Sequence, residues 1–177
     1  MQKILLTILF ALGITLLHAD TATPADDSKP ITFTLTNTEG EEILVTELEE
    51  GLKFEKYQGR AVFLTLFGHM CPPCNAEIPE LIALTEEYPE KLAIVAIEAQ
   101  QYSNEELKKF KEQKKINYNL VAGKDHEEFI GYLANRAEWN GSIPLLIAID
   151  KNGAVQAVQP GFIPKASLEE WIKRLNQ

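Results

Sequence analysis

Apolar and polar residues alternate through ITFTLTNTEGEEILVTEL, on both sides of an Asn-Thr-Glu-Gly turn, which predicts a β-hairpin over roughly residues 31–46. The next stretch, EEGLKFEKYQGR, is dominated by charge and reads as a polar connection. AVFLTLF (61–67) is a continuous apolar run of strand length, suited to the buried centre of a sheet. From Pro72 to about Glu87 the apolar positions Ile78, Leu81, Ile82 and Leu84 recur at helical spacing, and a proline is tolerated in the first turn. Pro79 lies inside this pattern and is expected to kink the helix. KLAIVAIEA (91–99) is a second buried strand, and SNEELKKFKEQKK (103–115) opens on a Ser-x-x-Glu capping box before a helix. YNLVAG reads as a short strand and HEEFIGYLANRAEW as another helix. IPLLIAID and AVQAVQ flank Lys-Asn-Gly, a strong hairpin signal, and SLEEWIKRLN closes the chain as an amphipathic helix from Ser167. Strands alternating with helices, with no internal repeat, predict one α/β layered domain.

The first 19 residues fall outside that pattern. A basic start at Lys3, an apolar run from Ile4 to Leu17 and the ending Leu17-His18-Ala19 form a signal-peptide pattern, and the run is short for an ordinary membrane span of roughly 20 residues. Cleavage after Ala19 is expected, with an uncleaved membrane anchor as the alternative. No cysteine follows the run, which argues against lipoprotein anchoring. Residues 20–30 are polar and without periodicity, a flexible leader to a domain spanning 31–177. The domain is therefore expected in a periplasmic or other extracytoplasmic, thiol-oxidising compartment. With 17 basic against 26 acidic residues and no basic stripe, nucleic-acid binding is disfavoured.

Both cysteines of the chain lie in HMCPPCNAEIP, residues 69–79. A purely structural disulfide gains little here, because stabilisation in the chain-entropy model grows with the loop closed and Cys-x-x-Cys closes almost none. Structural zinc usually takes four protein ligands. Cys71, Cys74 and His69 would need His126, from a separate predicted helix. The remaining reading is redox chemistry. Cys71 stands at a helix start after a buried strand, where unpaired amides and the helix dipole favour a thiolate, the attacking species in disulfide exchange. Cys74, one turn on, is placed to attack the mixed disulfide and release the partner reduced.

YQGRAVFLTLFGHMCPPCNAEIPEL resembles the active-site segment of the TlpA/ResA/CcmG-like thioredoxin family, extracytoplasmic thiol-disulfide oxidoreductases. The resemblance covers nearly the whole chain after the leader: the N-terminal hairpin at 31–46, a central αβα insert at 103–135, and a Gly-x-Pro strand with its IDKNG hairpin at 141–158. It implies a thioredoxin-like fold, a mixed central sheet flanked by helices. It also implies a reductase of protein disulfides whose redox-active group is the Cys71–Cys74 pair, with no further cofactor and no metal. A membrane electron donor of DsbD type and, as substrate, apocytochrome c in cytochrome c maturation are implied partners. The alternatives are a Dsb-type oxidase or isomerase, and a Cu(I)-delivery protein using His69, Met70, Cys71 and Cys74 as soft ligands.

Three further positions carry over. Pro144 matches the proline that is cis beside the disulfide in thioredoxin folds, or it simply begins a strand. Ile143 would present its backbone to substrate. Glu77 matches a family glutamate near the cysteines and is either a solvated helix residue or, if buried, the proton acceptor for the inner thiol. Thr65 occupies the position of the buried aspartate of classical thioredoxins. Phe67 and Met70 replace the tryptophans usual before the first cysteine, so substrate contacts at Met70 and His69 are particular to this chain. His69 would stabilise the Cys71 thiolate when protonated, or else is an exposed loop residue without a role. Ile143 before Pro144 and the Pro-Pro pair between the cysteines favour a reductant, while a cationic His69 would pull the couple toward oxidant.

Overall fold

The computed structural model describes residues 29–177, so the predicted signal peptide and most of the leader lie outside the described residues. β1 (Thr32–Thr36) and β2 (Glu42–Leu48) form the expected antiparallel hairpin, and β3 (Gly51–Phe54) adds a third strand to it. β4 (Ala61–Phe67), α1 (Pro72–Glu87), β5 (Leu92–Glu98), α2 (Asn104–Lys114), β6 (Asn119–Ala122), α3 (Glu127–Arg136), β7 (Leu145–Ile149), β8 (Val155–Pro160) and α4 (Lys165–Leu175) follow. A five-stranded mixed sheet runs β6-β5-β4-β7-β8. β4 is parallel to β5 and antiparallel to β7, and every residue of it is buried.

The full burial of β4 follows from its place between two cores. Phe63 and Phe67 face one core, with Ile78, Leu81 and Leu84 of α1, Leu107 and Phe110 of α2, and Leu168 and Ile172 of α4. Val62, Leu64 and Leu66 face the other, with Phe33, Leu35, Ile43 and Val45 of the N-terminal sheet and Phe129 and Leu133 of α3. A strand covered on both faces needs an unbroken apolar run, because neither set of alternate side chains reaches water. This arrangement leaves the C-terminal end of β4 and the N-terminus of α1 at one end of the layers, where the cysteines lie.

Three expectations change. Residues 49–60 are not merely a polar connection: Leu52, Phe54 and Tyr57 are buried in the second core while Lys53 lies between them on the other face of β3. The strand is four residues long and set among charges, so its alternation is too brief to register as a period. It is tied to the β7–β8 turn by Leu52 N donating to Gly153 O (2.8 Å) and Val155 N to Glu50 O (2.9 Å), and a Cβ at Gly51 would collide with the Gly153 carbonyl. The last helix begins at Lys165 rather than Ser167, because Pro164, with φ −61°, already supplies the N-cap position. α3 ends at Arg136, short of the predicted Trp139, and Glu138 has left the helix at φ 48°. α1 continues through Pro79, and α2 opens on the capping box expected at Ser103 and Glu106.

Candidate active site

Cys71 is the N-cap of α1, and Pro72 and Pro73 occupy the first helical positions, where a missing N–H costs nothing. Cys71 and Cys74 form a disulfide. Cys74 N donates to Cys71 Sγ at 3.3 Å, so a helix-terminal amide points at the outer sulfur. That amide and the helix dipole favour negative charge there once the bond is reduced. Cys71 keeps 7% of its surface accessible and Cys74 only 2%. Asn75 Nδ2 donates to the carbonyls of His69 (2.9 Å) and Cys71 (3.0 Å), which holds the segment before the helix against its first turn.

The Ile143–Pro144 peptide bond is cis, and the Ile143 carbonyl oxygen lies 3.8 Å from Cys71 Sγ. Pro144 O accepts from Gly161 N (2.8 Å). Two residues on, Ile163 N donates to Glu77 Oε1 (3.2 Å), so the short loop after β8 bridges the proline and the glutamate. Between these anchors Phe162 is 42% exposed, and Met70, just before Cys71, is 71% exposed.

Glu77 is buried on the same face of α1 as Cys74, one turn further along, which excludes the solvated alternative. Burial pushes its carboxyl up to about 7, against which the single bond from Ile163 N works in the other direction. The Tyr118 phenol is also raised by its own burial and by Glu77. Thr65 is buried on β4 with no hydrogen-bond partner for Oγ1 among the described residues.

His69 is not an exposed loop residue. Its Nδ1 donates to Oε1 of Glu98 (2.7 Å), and its ring stacks on Tyr102 with centroids 3.5 Å apart and planes 8° off parallel. Glu98, the last residue of β5, is completely buried. The bond to Glu98 engages Nδ1 alone, so Nε2 is the ring nitrogen left for the Cu(I) alternative. Glu98, Tyr102, Gln100 and Asn75 were not foreseen from sequence; the one available signal was an acidic residue ending the apolar run KLAIVAIEA.

The structure thus brings together Cys71, Cys74, Glu77, Ile143 and Pro144, with Met70 and His69 on the segment leading into the first cysteine. Such a set can pass two electrons between its own cysteines and a partner's, with a buried carboxyl raised to about 7 one helical turn from the inner cysteine.

Comparison with known proteins agrees. The chain matches the AhpC/TSA family over residues 27–158. It is 30% identical over 141 residues to the thiol-disulfide oxidoreductase ResA of Bacillus thuringiensis subsp. konkukian, covering 77% of this chain and 76% of that protein. Among solved structures, a thioredoxin-family thiol:disulfide interchange protein of Chlorobium tepidum superposes with a TM-score of 0.63 at 20% identity, over 85% of this chain and 99% of that one. A secreted disulfide oxidoreductase of Mycobacterium tuberculosis, homologous to E. coli DsbE, gives 0.59 at 18% identity, over 80% and 95%. The fold shared with these two is thioredoxin-like.

Proposed function

Because the chain belongs to the AhpC/TSA family and is a thiol-disulfide oxidoreductase of thioredoxin type, we propose that it works as a reductase of protein disulfides outside the cytoplasm. The observation that carries this reading is the unequal burial of the two cysteine residues at the helix N-terminus, with the Ile143 carbonyl beside the sulfur of the outer one. The Cys71 thiolate attacks one sulfur of the partner's disulfide, forming a mixed disulfide, and the other sulfur leaves as a thiolate that takes a proton from water. The Glu77 carboxylate accepts the proton of Cys74. The Cys74 thiolate then attacks Cys71 Sγ, the mixed disulfide breaks, and the partner departs with both sulfurs reduced while the Cys71–Cys74 bond closes. Two electrons pass to the partner, and a dithiol donor must restore them; a membrane donor of DsbD type fits that need.

The backbone of Ile143 and Pro144 lines the approach to Cys71, and Met70 and Phe162 offer apolar contact beside it. A partner polypeptide with apolar residues flanking its cystine suits that edge. Apocytochrome c, whose haem-site cysteines must be reduced before ligation, is the substrate we assign, within cytochrome c maturation. The leader pattern in residues 1–19 supports an extracytoplasmic place, soluble after cleavage or anchored if uncleaved. Among the described residues no helix is long and apolar enough to cross a membrane.

Deleting the protein in its own cell is expected to leave c-type cytochromes without covalently attached haem, and an added membrane-permeant dithiol is expected to restore attachment. Normal haem attachment in the deletion strain would remove this substrate from the proposal.

A further inference from the structure

Glu98 takes no part in the exchange just described, yet it is a completely buried carboxylate beside the cysteine loop. Its three bonds account for both oxygens. Oε1 accepts from His69 Nδ1 (2.7 Å) and Gln100 N (2.9 Å), and Oε2 accepts from Tyr102 N (2.9 Å). A buried carboxylate is costly unless it is paired and hydrogen-bonded. The basic side chain that reaches it is His69, at 2.7 Å, and no lysine or arginine among the described residues pairs with Glu98.

The same carboxylate organises the segment that follows it. Gln101 sits at φ 72°, a left-handed conformation unusual for a residue with a side chain, between the two amides that Glu98 binds. This turn then holds the cysteine loop: Ala99 N donates to Phe67 O (2.8 Å), Met70 N donates to Gln100 Oε1 (2.9 Å), and Tyr102 covers the imidazole. A Cβ at Gly68 would collide with the Gln100 side chain, so the two segments are in close contact.

We propose that Glu98 is a positioning residue of the thiol chemistry: acting through His69, it fixes the imidazole on the loop two residues before Cys71 and so favours the Cys71 thiolate. The imidazole belongs to the cysteine loop and the carboxylate to β5, so the positive pole of the pair is the one the loop carries. Tyr102 stacks on the imidazole, Glu77 lies on α1, and Tyr118 lies in the connection between α2 and β6. None of them is a basic group; His69 is, and Glu98 keeps it in place.

The proposal rests on Cys71 being the attacking thiol, and the test separates the two. The full domain is reduced and alkylated with iodoacetamide across pH 5–10 as wild type, Glu98→Gln, His69→Gln and the double variant, with the modified cysteine identified by peptide mass. His69→Gln keeps a hydrogen-bond donor for Glu98 though not a cation, and Glu98→Gln removes the buried charge altogether, so a comparison with wild type survives if one of the two fails to fold. Each single variant is expected to move the midpoint of Cys71 alkylation up by about half to one pH unit. The double variant should move it no further, and each variant's disulfide should become harder to reduce. A wild-type midpoint in a folded single variant, or shifts that simply add in the double variant, would overturn the role of Glu98. First labelling at Cys74 in the wild type would overturn the nucleophile assignment, and this proposal with it.

Discussion

Cys74→Ser is expected to convert the protein from a catalyst into a trap. The variant keeps Cys71, the less buried of the two cysteines, at the N-terminus of α1 but lacks the sulfur one turn along that would release the partner. Mixed disulfides should accumulate on Cys71 in cells, visible as bands that collapse on reduction. Turnover should fall on the order of 10³-fold or more, because an external thiol must replace an attacking group held within the same helical turn. Cys71→Ser should give neither turnover nor adducts. Adducts that form in Cys71→Ser and not in Cys74→Ser would reverse the roles of the two sulfurs.

Glu77→Gln carries the second large effect, and it is readable in two ways. The buried carboxyl titrates near 7, so around neutrality it exists in both forms and can take and return the proton of Cys74. Its replacement should slow release of the mixed disulfide by about 10²-fold and remove the inflection near pH 7 from the rate profile. Stability should change with pH as well. The folded protein holds the Glu77 proton up to about 7, whereas the unfolded chain loses it near the model-compound value of 4.5. The unfolded state therefore binds fewer protons between these limits, and stability from this group, complete below 4.5, is lost as pH rises through about 7. Relative to Glu77→Gln the wild type should lose about 3 kcal/mol across that window, as one pKa unit corresponds to roughly 1.4 kcal/mol. Denaturant unfolding of both proteins at pH 4.5 and pH 8 reads the difference directly, and parallel stabilities would show that Glu77 carries no raised titration.

What the chain displays on its own is the part governed by local pattern. The largely apolar run of β4, the Pro-Pro start of α1, the capping box at Ser103 and Glu106 and the Lys-Asn-Gly turn are each determined within a few residues, and each stands as expected. Cys71, Cys74 and Glu77 recur every three residues over about two helical turns, so their spacing alone puts them on one face. β3 escaped notice because its stability comes from pairing with β2 and from the bonds between Glu50, Leu52 and the β7–β8 turn, not from a pattern of its own. The pairing of His69 with Glu98 is a matter of register. Phe67 and Glu98 are neighbours across the parallel β4–β5 ladder, which sets the ends of those strands side by side, but 29 residues separate the two partners in the chain. The loop that joins Pro144 to Glu77 through Gly161 and Ile163 depends in the same way on the start of β7 and the end of β8 meeting beside α1. Contacts made through main-chain amides leave no mark on residue type.

The direction of electron flow is where the chain's features oppose one another, since the Pro-Pro pair and Ile143 favour a reductant and the His69–Glu98 pair favours the thiolate and hence an oxidant. Equilibrating the Cys71–Cys74 couple against graded mixtures of reduced and oxidised glutathione, with the dithiol fraction counted by alkylation and mass, decides between them. A reductase should show a potential nearer to about −270 mV than to about −120 mV, with the dithiol forming only at very high ratios of reduced to oxidised glutathione. A couple that remains dithiol in weakly reducing mixtures, close to about −120 mV, would contradict a reductase and make this protein a donor of disulfides instead.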